Sequence, residues 1–329
     1  MKAYDKKMKV TLGGLEQKIH IKTRDENLPV LLFLHGGPGV INRHSVTKTH
    51  ADLMDTFTLV TWDQRGSGGS YRGTERETLT IKQLTDDAAE LVEWLCKRFK
   101  KDKLFIIGGS WGSMLGTHLA YRYPAKIAAY VGFGQVVDGA ENEAVSYRFS
   151  LDEARAAGDD KAVAILESLG APIGGIYKGG FDGLLAQRKI MMKYGGYSPN
   201  KKKRGIFSSL VKPMLLSGEY SPGDLIGVIK GHRFVLKAMW DEVAGIDLAA
   251  VCPSFEMPYF IFDGRLDFNT PASLVEAFFN TIQAPRKELI WFENSGHNPM
   301  GDEPELFKKM LRNKLSEVAE EEKERGVAI

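Results

Sequence analysis

The feature that most limits how this chain can fold is the passage through residues 104–123. Leu104-Phe105-Ile106-Ile107 is a short continuous apolar run, the mark of a strand buried on both faces. It leads straight into Gly108-Gly109-Ser110-Trp111-Gly112, and a helical segment then runs to about Tyr123, where Pro124 stops it. A chain that passes from strand to helix in so short a span brings two backbones together, so side chains two residues before and two after Ser110 would collide. Glycine at 108 and 112 removes them, and the serine is left strained and exposed at the turn.

The first half repeats this strand-then-helix rhythm. Residues 30–34 form a buried strand that ends in His35-Gly36-Gly37-Pro38-Gly39, and residues 57–63 form another that stops at Gln64-Arg65-Gly66-Ser67-Gly68-Gly69. Residues 9–12 and 17–22 read as antiparallel edge strands, and residues 127–133 close the series. A helix opens at Thr80, whose hydroxyl and the Gln83 side chain are placed for a reciprocal capping box, with Ile81, Leu84, Ala88, Leu91 and Leu95 as its apolar face. Between about 135 and 251 the pattern becomes helical, as at 152–157 and 161–168, with glycine-rich breaks and no buried strand. Strands return at 259–263 and 288–293, separated by a helix over 273–282. A final amphipathic helix over 303–324 offers Leu306, Met310, Leu311 and Leu315 as its stripe. The expected class is α/β: a mostly parallel sheet with helices on both faces. Residues 1–134 and 252–329 form the core domain, and 135–251 a helical cap.

A single core stops growing at roughly 250–300 residues, so 329 residues suit one large domain with an insertion. Forty-four basic against forty-two acidic side chains leave a formal charge of +2. No global field favours nucleic acid or a membrane surface, and the expected partner is a small molecule or short peptide. The run Lys201-Lys202-Lys203-Arg204 reads as a solvated loop. Cys96 and Cys252 give neither a disulfide framework nor a metal-ligand spacing, which points to free thiols in a reducing compartment. The amino terminus lacks the apolar stretch of a signal peptide, so a cytoplasmic location is expected.

A serine hydroxyl is a weak nucleophile and needs a base, and this elbow requires Ser, then Asp or Glu, then His in chain order. His118 would lie about two turns down the same helix and cannot reach back. His232 falls in the insertion, whereas His297 lies in Asn294-Ser295-Gly296-His297-Asn298-Pro299, directly after the last strand. The preceding strand end offers Asp263 and Asp267. Asp267, farther into the loop, is favoured; Asp263 is placed to cap the turn through Gly264, and Asp138 is a remote alternative. The oxyanion donors expected are the amides of Trp111 and Gly37, each donor of this kind contributing about 3 kcal/mol to the transition state. His35 is expected to organise the Gly37 loop. No metal or cofactor is needed for this chemistry.

With these pieces placed, the chain resembles the proline iminopeptidase (prolyl aminopeptidase) family of α/β-hydrolases. The likeness rests on His35-Gly36-Gly37-Pro38-Gly39, Asp63-Gln64-Arg65-Gly66-Ser67-Gly68, Gly108-Gly109-Ser110-Trp111-Gly112-Ser113, Gly264-Arg265-Leu266-Asp267 and Ser295-Gly296-His297, in that order. It implies an α/β-hydrolase fold, with an eight-stranded sheet and a helical cap, and a triad of Ser110, Asp267 and His297. It also implies release of an amino-terminal residue, often proline, from short peptides. Acidic cap residues would pair with the substrate's ammonium; the candidates are Glu141, Glu143, Glu219 and Glu242, with Glu242 first because it lies beside Trp240 and Asp241. The insertion matches poorly, carrying Met239-Trp240-Asp241-Glu242 in place of the Trp-x-x-Trp-Glu of many prolyl-specific members. The same triad would serve a carboxylesterase, and a non-catalytic ligand-binding homologue is the reading from another class.

Overall fold

The computed structural model describes residues 3–199 and 212–329, and the Lys201-Lys202-Lys203-Arg204 run lies outside them. The strands are β1 (Tyr4–Leu12), β2 (Leu15–Thr23), β3 (Val30–Leu34), β4 (Thr58–Trp62), β5 (Leu104–Gly109), β6 (Ile127–Phe133), β7 (Tyr259–Gly264) and β8 (Lys287–Phe292). They form one sheet in the order β1-β2-β4-β3-β5-β6-β7-β8. β1 and β2 make an antiparallel hairpin at one edge, and β2 joins β4 antiparallel; every other pairing is parallel.

Parallel strands covered on both faces must be apolar throughout, and β3, β4, β5 and β7 are buried at every position. Alternate side chains feed two cores. Leu32, Leu34 and Ile106 pack with α1 (Ile81–Phe99) and α2 (Trp111–Arg122), while Leu31, Phe33, Phe105 and Ile107 face the opposite layer. The remaining helices follow in chain order: α3 (Gly139–Ala156), α4 (Asp160–Leu169), α5 (Phe181–Lys193), α6 (Lys212–Leu216), α7 (Pro222–Ala244), α8 (Leu248–Val251), α9 (Ala272–Thr281), α10 (Pro299–Asp302) and α11 (Pro304–Glu324). Helices α3 to α8 thus come between β6 and β7, as an insertion in the eight-stranded α/β-hydrolase sheet. Among the described residues, no helix is long and apolar enough to cross a membrane.

Three expectations need correction. The box at Thr80 forms only in half: its hydroxyl accepts the Gln83 N–H at 3.1 Å, but the Gln83 side chain turns to Asp87, 2.9 Å away. The stripe of α11 is Phe307, Leu311, Leu315 and Val318, and Leu306 is exposed, because the face follows i, i+4 from position 307. α3 begins at Gly139, well ahead of the apolar pattern at 152, because much of its buried face is small or polar (Gly139, Asn142, Glu143, Ser146, Ser150) and apolar periodicity does not register it.

Candidate active site

Ser110 stands between β5 and α2 at φ 55° and ψ −126°, a region that costs a residue with a side chain about 1–3 kcal/mol. The turn leaves no alternative to its glycines. A Cβ on Gly108 would lie 2.1 Å from the Gly112 carbonyl oxygen, and one on Gly112 would lie 2.1 Å from that of Leu34. The strain is held by bonds on both sides of the serine: its N–H donates to Phe133 O (2.9 Å), and its carbonyl accepts the Ser113 hydroxyl (2.6 Å).

His297 Nδ1 lies 2.8 Å from Asp267 Oδ2, and both side chains are buried. The carboxylate also accepts the amides of Asn269 (2.7 Å) and Thr270 (3.0 Å) and the Thr270 hydroxyl (2.6 Å). The loop thus supplies several donors to this carboxylate, and as an acceptor it fixes the ring proton on Nδ1, leaving Nε2 free of a proton. The insertion helps hold both loops. Tyr197 O accepts the His297 N–H (2.7 Å), and Gly196 O accepts the Phe268 N–H (2.9 Å). The Asn269 side-chain amide lies 3.2 Å from Nε2, and among the described residues no hydrogen bond joins the Ser110 hydroxyl to His297. The imidazole–carboxylate half of the expected relay is formed, and the hydroxyl link is not.

The other titratable candidates stand elsewhere. Asp263 is fully buried, and burial together with the neighbouring Asp267 charge raises its pKa well above the usual carboxyl range. Asp138 accepts the Glu141 N–H as the cap of α3. His118 sits against the Cys252 thiol, and burial lowers its pKa to about 4.

Trp111 opens α2, where the first amides have no intrahelical acceptor. Its indole N–H donates to Gln64 Oε1 (2.9 Å), and the Gln64 side-chain amide donates to His35 O (3.0 Å). The Gln64 backbone N–H donates to His35 Nε2 (3.2 Å), and His35 Nδ1–H donates to Gly36 O (2.9 Å). Each ring nitrogen has one partner that suits the neutral tautomer, and burial lowers the His35 pKa to about 4. Gln64 thus ties the loop carrying Gly37 to the residue after Ser110. The sequence displayed it in Asp63-Gln64-Arg65-Gly66, but nothing in its type announced this role.

Ser110, Trp111, Gly37 and His297 line one cavity of about 400 Å³, closed on the other side by the insertion. Of the four candidate acids only Glu143 lines it, together with Trp240. Glu143 is 1% exposed; Oε1 is paired with Arg188, and Oε2 has no hydrogen-bond partner among the described residues. Arg188 escaped the sequence reading because only acids were sought. Glu242, the first choice, is exposed and accepts the Ile81 N–H at 2.9 Å, capping α1: two residues past Trp240 is about 200° round the helix. Glu141 is likewise turned outward from α3. Glu219 is buried far from Ser110, against Lys7 (2.8 Å) and His20 (3.2 Å) of the edge hairpin.

Residues 29–160 match the family model described as alpha/beta hydrolase fold. The chain is 31% identical to the probable aminopeptidase YbaC of Bacillus subtilis over 304 residues, 92% of this chain and 93% of that one. It is 30% identical over 105 residues to proline iminopeptidase PfmaB of Pestalotiopsis fici, covering 31% of this chain and 35% of the relative. The solved proline iminopeptidase of Mycobacterium smegmatis superposes with a TM-score of 0.62 at 18% identity, covering 95% and 98% of the two chains. A bacterial membrane phospholipase A superposes at 0.66 with 17% identity, covering 96% and 87%. At such low identity these two structures speak for the fold alone.

Proposed function

The chain belongs to the α/β-hydrolase family, and on that premise we propose that it is an aminopeptidase of the proline iminopeptidase type, releasing the first residue of short peptides through an acyl-enzyme. Ser110 Oγ attacks the carbonyl carbon as its proton passes to His297 Nε2, and Asp267 holds the resulting imidazolium. The Trp111 and Gly37 amides take the charge on the carbonyl oxygen. Collapse returns the proton to the departing amine. Water then attacks the ester on Ser110, with His297 again the base, and the free amino acid leaves.

The observation that carries the peptide reading is Glu143 Oε2, a buried carboxylate oxygen on the wall of the reaction cavity with no donor among the described residues. Leaving such an acceptor unpaired costs about 1–3 kcal/mol, and a substrate ammonium would supply the missing donor. The Trp240 indole N–H on the same wall also has no partner among the described residues and suits a substrate carbonyl. The extended similarity to a probable aminopeptidase supports the same reading. A carboxylesterase is favoured by a different observation: Arg188 already offsets the Glu143 charge, and Leu184, Leu185, Met191, Leu236 and Val243 make much of the lining apolar. A panel of aminoacyl anilides, their N-acetyl counterparts and short acyl esters separates the two. Anilides with a free amine, prolyl among them, should turn over and acetylation should abolish it; turnover of esters alone removes the peptidase reading.

A further inference from the structure

His232, on the cavity wall, has no part in the chemistry above. Its Nδ1 lies 3.0 Å from the carbonyl oxygen of Pro38. A carbonyl only accepts, so Nδ1 carries the proton and donates it. Pro38 follows Gly37 in the loop that offers an amide to the oxyanion. Gly37 and Gly39, on either side of Pro38, have φ of +117° and +91°, conformations that glycine adopts without strain, so the hydrogen bonds of the loop set its path. Its carbonyls anchor it, beginning with His35 O, which accepts the Gln64 side-chain amide. Gly36 O accepts the Val40 N–H (3.0 Å) and His35 Nδ1–H from the core side, and Pro38 O accepts His232 from the insertion.

The helix bearing His232 lies directly on the core loops. A Cβ on Gly39 would come within 2.9 Å of the His232 Cα, one on Gly231 within 2.4 Å of Gly66 O, and one on Gly227 within 1.8 Å of Gly68 O. Backbone therefore meets backbone, and no layer of side chains softens the contact.

We propose that His232 is a positioning residue for the oxyanion hole, its Nδ1–H fixing the Pro38 carbonyl and, through it, the aim of the Gly37 amide. This rests on the role given to Gly37 above but not on the substrate class, because esters and amides pass through the same tetrahedral oxyanion. Asparagine can place an amide N–H near the position of Nδ1, whereas glutamine carries it farther out and leucine has none.

The test compares His232→Asn, His232→Gln and His232→Leu with the unmodified full chain. It measures the second-order rate of Ser110 phosphonylation by a fluorophosphonate, and kcat and KM per labelled site on one acyl ester and one aminoacyl anilide. H232Q and H232L should slow phosphonylation about tenfold and lower kcat by a similar factor on whichever substrates turn over, with KM within about twofold; H232N should recover most of the rate. Unchanged rates in H232Q and H232L overturn the proposal, as does H232N failing alongside them. A loss confined to the anilide also overturns it, by assigning His232 to the substrate amine. An unmodified chain that phosphonylates but cleaves no anilide counts against the peptidase reading alone.

Discussion

The strand-end loops and the helical insertion face each other across one cavity, yet they are built differently. Asp267, His297, Gln64 and His35 each make two or more hydrogen bonds to backbone or buried side chains, so the reacting groups sit in a fixed polar frame. Helices α3 to α5 pack around a small core of their own, with Tyr147, Ala154, Leu166, Tyr177, Leu184 and Ile190. α7 sides with the loops. Asp224 at its start is held by Lys18 (2.7 Å) and Arg43 (2.9 Å), its middle lies on Gly66 and Gly68, and Glu242 near its end caps α1. On the reading proposed above, the loops carry the chemistry, α7 forms the wall that packs on them, and the α3–α5 face with Glu143 and Arg188 selects the substrate.

Two buried carboxyls, Asp263 at the end of β7 and Asp267 in the loop that follows, should differ most widely. Asp267→Asn should lower kcat by roughly 10³ to 10⁴, because the ring loses the acceptor that sets its tautomer. Asp263→Asn should change kcat less than about threefold, since burial and the Asp267 charge both disfavour the ionised form of this carboxyl and the amide has the same shape. If both substitutions cost the same, the polar frame is not organised as described.

Next comes the anchor of α7. Burial opposes the Asp224 charge, but Lys18 and Arg43 outweigh it and bring its pKa down to about 2. A depressed carboxyl contributes fully above its unfolded value of about 3.9, and the contribution is lost as pH falls through the folded value. Asp224→Asn should therefore cost about 3 kcal/mol in urea unfolding at pH 7, with the gap narrowing toward pH 2. A substitution without effect on stability would group α7 with α3 to α5 and not with the loops. Glu143→Gln tests the other side of the comparison. KM for free-amino anilides should rise about tenfold, with kcat and ester turnover within about twofold. The smallest effect belongs to Glu242→Ala, with about 1 kcal/mol of stability lost from the α1 cap and no change in KM; a raised KM would return this residue to the substrate.

The same contrast explains what could be read from the chain. Val30-Leu31-Leu32-Phe33-Leu34 and Leu104-Phe105-Ile106-Ile107 are buried on both faces, so burial and apolar pattern coincide and the sheet was legible. Gly108 and Gly112 were legible because only sterics could demand them. The insertion hides its information in polar burial: Asn142, Glu143, Ser146 and Gln187 are inside, and residue type alone does not distinguish Glu143 from the outward Glu141. Gly196 and Tyr197 act through backbone carbonyls, which any residue possesses.

One cavity joins a strained Ser110 to a His297 oriented by Asp267. Mapping a fluorophosphonate adduct by mass spectrometry puts this arrangement to the test. One adduct per folded chain is expected, on Ser110, absent in Ser110→Ala and strongly slowed in His297→Ala. A folded chain that stays unlabelled, or carries its adduct on another residue, contradicts it.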